Sequence, residues 1–182
     1  MEVSAALKPK AAHLGAAAWL ESMRDSTVLL GAILKVVHPE LYARSVAGLA
    51  TLHGHEDFET PLRPWGSPFN ALSIISNRQT PLHRDTQSRR EWYDLLVTIG
   101  NYSAATLSLP GLGLEYPYPS GSISIFSGAL LQHGVSPADE ERICIAYYMR
   151  EAVQKRMNTG LAGWMTVGQF TTATGVHEVV GS

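Results

Sequence analysis

From residue 69 onward the chain breaks into short β-rich runs: Leu72–Ser76, Trp92–Ile99, Thr106–Leu109, Leu112–Tyr116, Ser122–Phe126, Leu130–Val135 and Ile143–Met149. Gly, Pro, Asn and Ser separate them. Many short strands divided by turn residues cannot alternate with helices in a parallel sheet, so they predict a sandwich or barrel. The first third has the opposite texture and reads as helical. Helices first and strands after make the chain α+β. Its 182 residues suit a single domain. Within it, residues 1–68 form a helical N-terminal support, 69–158 the β core and 159–182 a C-terminal tail of unassigned role.

Three helices are expected before the β region. Residues 11–24 carry Trp19, Leu20 and Met23 at helical spacing. Ser26 is placed as the cap of a second helix through Val28, Leu29, Ile33, Val36 and Val37. Pro39 suits the first turn of a third, carrying Leu41, Tyr42, Val46 and Leu49. These aliphatic stripes read as core. Residues 53–70 hold Gly54, Pro61, Pro64, Gly66 and Pro68 and read as loop. Glu151–Asn158 reads as a short helix.

Composition excludes several classes. The single cysteine, Cys144, rules out an internal disulfide and an all-cysteine metal site. A metal must therefore be held by His, Asp or Glu. The formal net charge of −2 is unlike a dedicated non-specific DNA binder, so nucleic acid would need a local basic patch. No apolar run approaches the length of a bilayer span, and the Ala-rich N-terminus is broken by Lys8, Pro9, Lys10 and His13. An intracellular protein is expected.

The chemistry gathers at His83-Arg84-Asp85. On a strand, residues two apart face the same side, so an imidazole and a carboxylate can point at one ion. Such a triplet is common by chance. Its weight comes from His133, 48 residues after Asp85, and from Arg142, nine residues after that. Two histidines and a carboxylate make the facial triad of non-haem Fe(II) oxygenases, with neighbouring positions left open. An arginine fork suits the remote carboxylate of 2-oxoglutarate. Bland readings stand beside these: a turn histidine for His133, and a solvated salt bridge with Glu140-Glu141 for Arg142. His53-Gly54-His55-Glu56-Asp57 has the look of a metal cluster but falls in a loop, and a solvated loop is the expectation. His13, His38 and His177 carry no assignment.

These residues resemble the oxygenase domain shared by TET and J-binding-protein enzymes, and within it the fungal branch. The matching segments are Pro81–Asp85, Glu91–Val97, Leu109–Leu114, Gly121–Phe126, Leu131–Val135 and Arg142–Arg150. The resemblance implies a double-stranded β-helix, a jelly roll with N-terminal helices packed on it and Fe(II) at its mouth. TET enzymes carry an arginine, a serine two residues on, an aromatic six on and often a histidine eight on. Those positions are Arg142, Cys144, Tyr148 and Arg150 here. The resemblance implies that Arg142, with Cys144 beside it, binds 2-oxoglutarate and that Tyr148 stacks on a flipped base. Barrel-core packing is the plain alternative for Tyr148. Arg150 replaces the base-reading histidine, and Ser88 stands where several relatives have Asn or Asp. Both departures bear on which base is taken.

The implied reaction couples decarboxylation of 2-oxoglutarate with O2 to hydroxylation of a methyl group on DNA, from 5-methylcytosine to 5-hydroxymethylcytosine and beyond. A stacked base must be flipped out to reach a buried metal. Tyr148, Arg150, Asn77 and Ser88 are the candidates for that pocket. Asn70, Ser73 and Asn77 lie on the strand before the metal motif, and one of them could hydrogen-bond 2-oxoglutarate, for which Asn70 is the candidate, or the base; each could equally cap a loop or strand end. Arg84, Arg89 and Arg90, with Arg78 near them, are candidates for the DNA backbone, or else form a solvated charged loop. A nuclear location follows from a DNA substrate. N6-methyladenine, RNA or a protein side chain as substrate, a cupin-like metal enzyme without 2-oxoglutarate, and a non-catalytic nucleic-acid-binding module stay open at this point.

Overall fold

The computed structural model describes residues 4–8 and 15–175. Residues 11–14 of the first expected helix, His13, His177 and the end of the tail lie outside the described residues. The chain divides into two compact units, residues 71–151 and residues 1–70 with 152–182.

The helical unit contains α1 (Ala16–Ser22), α2 (Arg24–Val37), α3 (Pro39–His53), α4 (Glu56–Leu62), most of α5 (Glu151–Met157) and α6 (Val167–Thr174). Ser26 is not a cap. The Met23 amide still bonds Trp19 and Leu20 carbonyls, and Thr27 N–H donates to Met23 O, so the cap of α2 is Met23, three residues earlier than expected. Pro39 does open α3, and the His38 ring accepts the Leu41 N–H as its cap. Part of the expected loop is α4, whose first turn carries Glu56, Asp57 and Glu59 against the positive end of the helix. The tail includes α6, entered through a capping box of Thr166 and Gln169.

The buried helix faces differ from the aliphatic stripes. They are Thr27, Leu30, Gly31 and Leu34 on α2, and Leu41, Ser45, Gly48 and Leu52 on α3, while Val28, Leu29, Val36 and Val46 are exposed. At Gly31 and Gly48 the difference goes with neighbouring side chains packed close against the helix. A Cβ on Gly31 would lie 2.9 Å from the Pro68 ring, and one on Gly48 would lie 2.7 Å from the Met157 side chain. Ser45 donates its hydroxyl to Pro68 O. Small residues let the chain pack there, and larger aliphatics would not fit.

The β unit holds two antiparallel four-stranded sheets. The first has order β1 (Ala71–Ser76), β8 (Arg142–Tyr148), β3 (Asp94–Gly100), β6 (Ile123–Phe126). The second has order β2 (Thr80–His83), β7 (His133–Val135), β4 (Thr106–Leu109), β5 (Leu114–Pro117). Neighbours in space are seldom neighbours in sequence, which is the jelly-roll signature. Of the expected run Leu130–Val135, only His133–Val135 is strand. The first half is a turn, with Leu130 and Leu131 amides donating to Ser127. The register puts Ser73 opposite Ala146, Ile75 and Thr98 opposite Cys144, and Asp94 opposite Phe126. Cross-strand partners share a face. One face of the first sheet therefore presents Ser73, Ile75, Asp94, Thr98, Phe126, Arg142, Cys144 and Tyr148. Beside it lies a cluster of Tyr102, Ala105, Leu107, Tyr118 and Val135, against which Phe126 packs. Gly100, at φ +151°, ends β3; a Cβ there would stand 2.0 Å from Glu141 O.

Candidate metal centre and co-substrate site

The β2–β7 pairing sets His83 directly opposite His133. Their rings lie 4.3 Å apart by centroid. Asp85 closes the group, its two oxygens 3.6 Å from His83 Nε2 and 3.8 Å from His133 Nε2. One ligand atom from each residue lies within 4.8 Å of the others, and this is the only such group of His, Cys, Asp and Glu among the described residues. The His53–Asp57 segment forms no such group.

Both histidines are oriented in the same way. His83 Nδ1 is 2.9 Å from Pro81 O, and His133 Nδ1 is 3.0 Å from Leu131 O, each a carbonyl two residues back. That carbonyl fixes the proton on Nδ1 and leaves the Nε2 lone pair for a metal. Burial, with the neighbouring His83, lowers the His133 pKa and favours the neutral ring that can ligate. Phe126 meets the His133 ring edge-on at 5.1 Å and joins it to the core cluster.

Asp85 is held by the turn after β6. Its N–H donates to Gly128 O at 3.0 Å, and the Gly128 N–H donates to Asp94 Oδ2 at 3.1 Å. A Cβ on Gly128 would fall 2.3 Å from Asp85 Oδ2 and 2.7 Å from Asp94 Oδ2, so only glycine fits between the two carboxylates. Burial, and then repulsion from Asp85, raise the Asp94 pKa to about 7 against the pull of Gly128 and Ser88. Nothing in the sequence singles out Asp94 or Gly128.

Arg142 is 2% exposed and starts β8 of the first sheet. Its Nη2 donates to Arg78 O at 2.8 Å, and its Nη1 is buried with no hydrogen-bond partner. Glu140 and Glu141 form no ion pair with it, so the salt-bridge reading falls. Around it lie Cys144 and the buried Tyr118, whose hydroxyl burial shifts upward. Tyr118, within the run Tyr116-Pro117-Tyr118-Pro119, gave no signal in the sequence.

Residues 5–151 match the family described as Tet_JBP, the oxygenase domain of the 2OGFeDO superfamily. The chain belongs to that family. The superfamily uses Fe(II) and 2-oxoglutarate, and this Tet_JBP domain has residues that fit both: a two-histidine, one-carboxylate donor set, and a buried arginine with a donor left unpaired. Among solved structures it is similar to NgTET1 in complex with 5mC DNA, at 14% identity and a TM-score of 0.62. The match covers 98% of this chain and 63% of that one, so the Tet_JBP domain here spans less than two thirds of that chain's length. No curated protein matches in sequence.

The remaining candidates of the Tet_JBP domain fall in three places. Tyr148 ends β8, its hydroxyl 3.1 Å from Ser73 Oγ; Arg150 donates to that hydroxyl at 3.3 Å and lies 5.7 Å over the ring. Arg150 lies past the end of β8 and is exposed. Ser88 is turned toward the Met149 carbonyl, 3.5 Å away, and bonds Asp94. Asn77 is not near Tyr148. It pairs with Arg142 at the opposite end of β8, where its side chain accepts the Arg142 N–H. Asn70 is displaced the other way, since the next residue, Ala71, pairs with Tyr148 and not with Arg142. Arg84 lies just past the end of β2, is exposed, and donates to Leu130 O at 3.1 Å. Arg89 is held by Glu91 at 2.9 Å and Glu151 at 3.0 Å, which neutralise it locally. Arg90 is exposed. No helix among the described residues is long and apolar enough to cross a membrane.

Proposed function

We propose that this chain oxidises the methyl group of a methylated base in DNA, taking 5-methylcytosine to 5-hydroxymethylcytosine and further oxidised forms. The observation that carries the reading is the arrangement of His83, Asp85 and His133 beside a sheet that presents buried Arg142 and, six residues on, Tyr148 on the same face. The likeness to a TET structure solved with 5mC DNA supports the choice of substrate.

His83, Asp85 and His133 would hold Fe(II) through Nε2 and carboxylate oxygens. Arg142 would receive the remote carboxylate of 2-oxoglutarate on its unpaired Nη1, with Cys144 small enough to leave room. When bound, iron and 2-oxoglutarate with O2 supply the oxidising power for C–H hydroxylation. The chain's own residues orient the reactants and exclude water. Tyr148 offers a ring for a flipped base, and Arg150 offers donors to base acceptors such as a carbonyl oxygen or ring nitrogen. Arg84 and Arg90 would meet phosphates beside that base. The protein would act in the nucleus.

Incubating the chain with Fe(II), 2-oxoglutarate and duplexes carrying 5-methylcytosine, N6-methyladenine or no modification tests this. Mass spectrometry should find 5-hydroxymethylcytosine and matching succinate on the first duplex. Succinate release with no modified-base product on any duplex would overturn the DNA assignment.

A further inference from the structure

We infer that Asn77, with the carbonyl of Arg78, is a positioning residue that holds Arg142 ready for the 2-oxoglutarate carboxylate. This rests on the reading of Arg142 as the co-substrate's partner.

Asn77 has φ +50°, one of two non-glycine residues at positive φ among the described residues. Such a conformation is unfavourable for most side chains, and Asn tolerates it best when its amide bonds nearby backbone. Here the amide oxygen accepts the Arg142 N–H at 2.7 Å, and the Asn77 N–H donates to Arg142 O at 2.8 Å. The chain then turns out of the first sheet toward β2, and the very next carbonyl, Arg78 O, takes Nη2 of the same arginine at 2.8 Å. Two consecutive residues thus grip both ends of Arg142, its peptide group and its guanidinium.

A capping role alone would explain the peptide contacts. It does not explain why the following carbonyl is aimed at the guanidinium while Nη1 stays buried and unpaired. Leaving a charged donor unpaired inside a protein is costly, and it is tolerated where a ligand supplies the partner. One hydrogen bond to Arg78 O removes the rotation that would otherwise be lost on binding, which is preorganisation. The same turn leads six residues later to His83, so the corner links the arginine's orientation to the strand bearing the metal ligands.

The test measures 2-oxoglutarate binding to the full chain under anaerobic conditions with Mn(II), by calorimetry. Asn77→Gly keeps the backbone conformation and removes the acceptor, and Asn77→Asp restores an acceptor. Asn77→Gly should weaken 2-oxoglutarate binding about tenfold, the scale of one hydrogen bond. Mn(II) affinity should not change, and Asn77→Asp should recover most of the loss. Arg142→Ala is the control. If it loses 2-oxoglutarate binding while Asn77→Gly does not, the Asn77 role is wrong; if it binds normally, the reading of Arg142 is wrong instead. Should Asn77→Gly fail to fold, nitrogen NMR of the wild-type Arg142 guanidinium decides. Distinct, slowly rotating Nη signals before 2-oxoglutarate is added support the inference, and a freely rotating group overturns it.

Discussion

Gly128 shows how tightly a single position can be fixed by its neighbours. Its two peptide groups tie Asp85 to Asp94, and the space a methyl would need is already filled by their oxygens. Gly128→Ala should raise the Mn(II) dissociation constant by about ten- to a hundredfold, the range seen when the support of a ligand is disturbed. Calorimetry on the folded variant would check it. Asp94 carries a second consequence. Its folded-state pKa of about 7 lies above the ordinary 3.8, so its contribution to stability is complete at low pH and is lost as pH rises toward 7. In the metal-free protein, Asp94→Asn should shrink the difference in urea midpoint between pH 5 and pH 7.5. An unchanged difference would count against a raised Asp94 pKa in the folded state. Neither residue was legible in the sequence, because the contact joins positions 34 residues apart. Asn77 was noticed for its polarity, but its contact with Arg142 was not legible, since that partner lies 65 residues on. His83, at the end of β2, and Asp85, two residues past it, were legible because their relation is local.

The strands were readable where β-branched and aromatic runs are bounded by turn residues, as in β3, β4 and β8. β2 was not, because it is short, contains Pro81 and has two exposed residues. Its irregular pairing with β7 nonetheless delivers His83 to His133. The helices were visible in outline, yet their packed faces were misread, because Gly31, Ser45 and Gly48 do not look like core residues. The segment between β2 and β3 carries the basic residues, and its ion pairs sort them. Arg89 is compensated by Glu91 and Glu151 and stacks 5.9 Å from the Trp92 ring, while Arg90 is exposed. Arg90→Ala should therefore reduce the salt dependence of DNA binding by about one phosphate contact, and Arg89→Ala should leave that slope unchanged. Titrations of a methylated duplex at several salt concentrations would separate them. Equal effects would show that Arg89 leaves its carboxylates on binding.

Across the molecule, the metal ligands and Arg142 stand on different sheets of one jelly roll. His83 and His133 belong to the β2–β7 pair, and Arg142 to β8 of the other. A ligand chelated to the metal and gripped by the arginine would brace the two sheets together. Mn(II) alone should stabilise the fold by mass action, about 2.7 kcal/mol at a hundredfold excess over its dissociation constant. 2-Oxoglutarate should tighten Mn(II) and be tightened by it to the same degree, as linkage requires. Thermal melts with each ligand and with both would show it, and His133→Ala should abolish the joint effect.

β8 carries Arg142 at its start and Tyr148 at its end, an even number of residues apart. A strand turns each successive side chain to the opposite face, so gaining or losing one residue between them would send one of the pair out of the barrel. That stretch can drift by substitution, as Cys144 illustrates against the TET pattern, but its length is locked. In a lineage of such proteins, insertions and deletions should collect in the loops and be absent, or come only in pairs, from this strand.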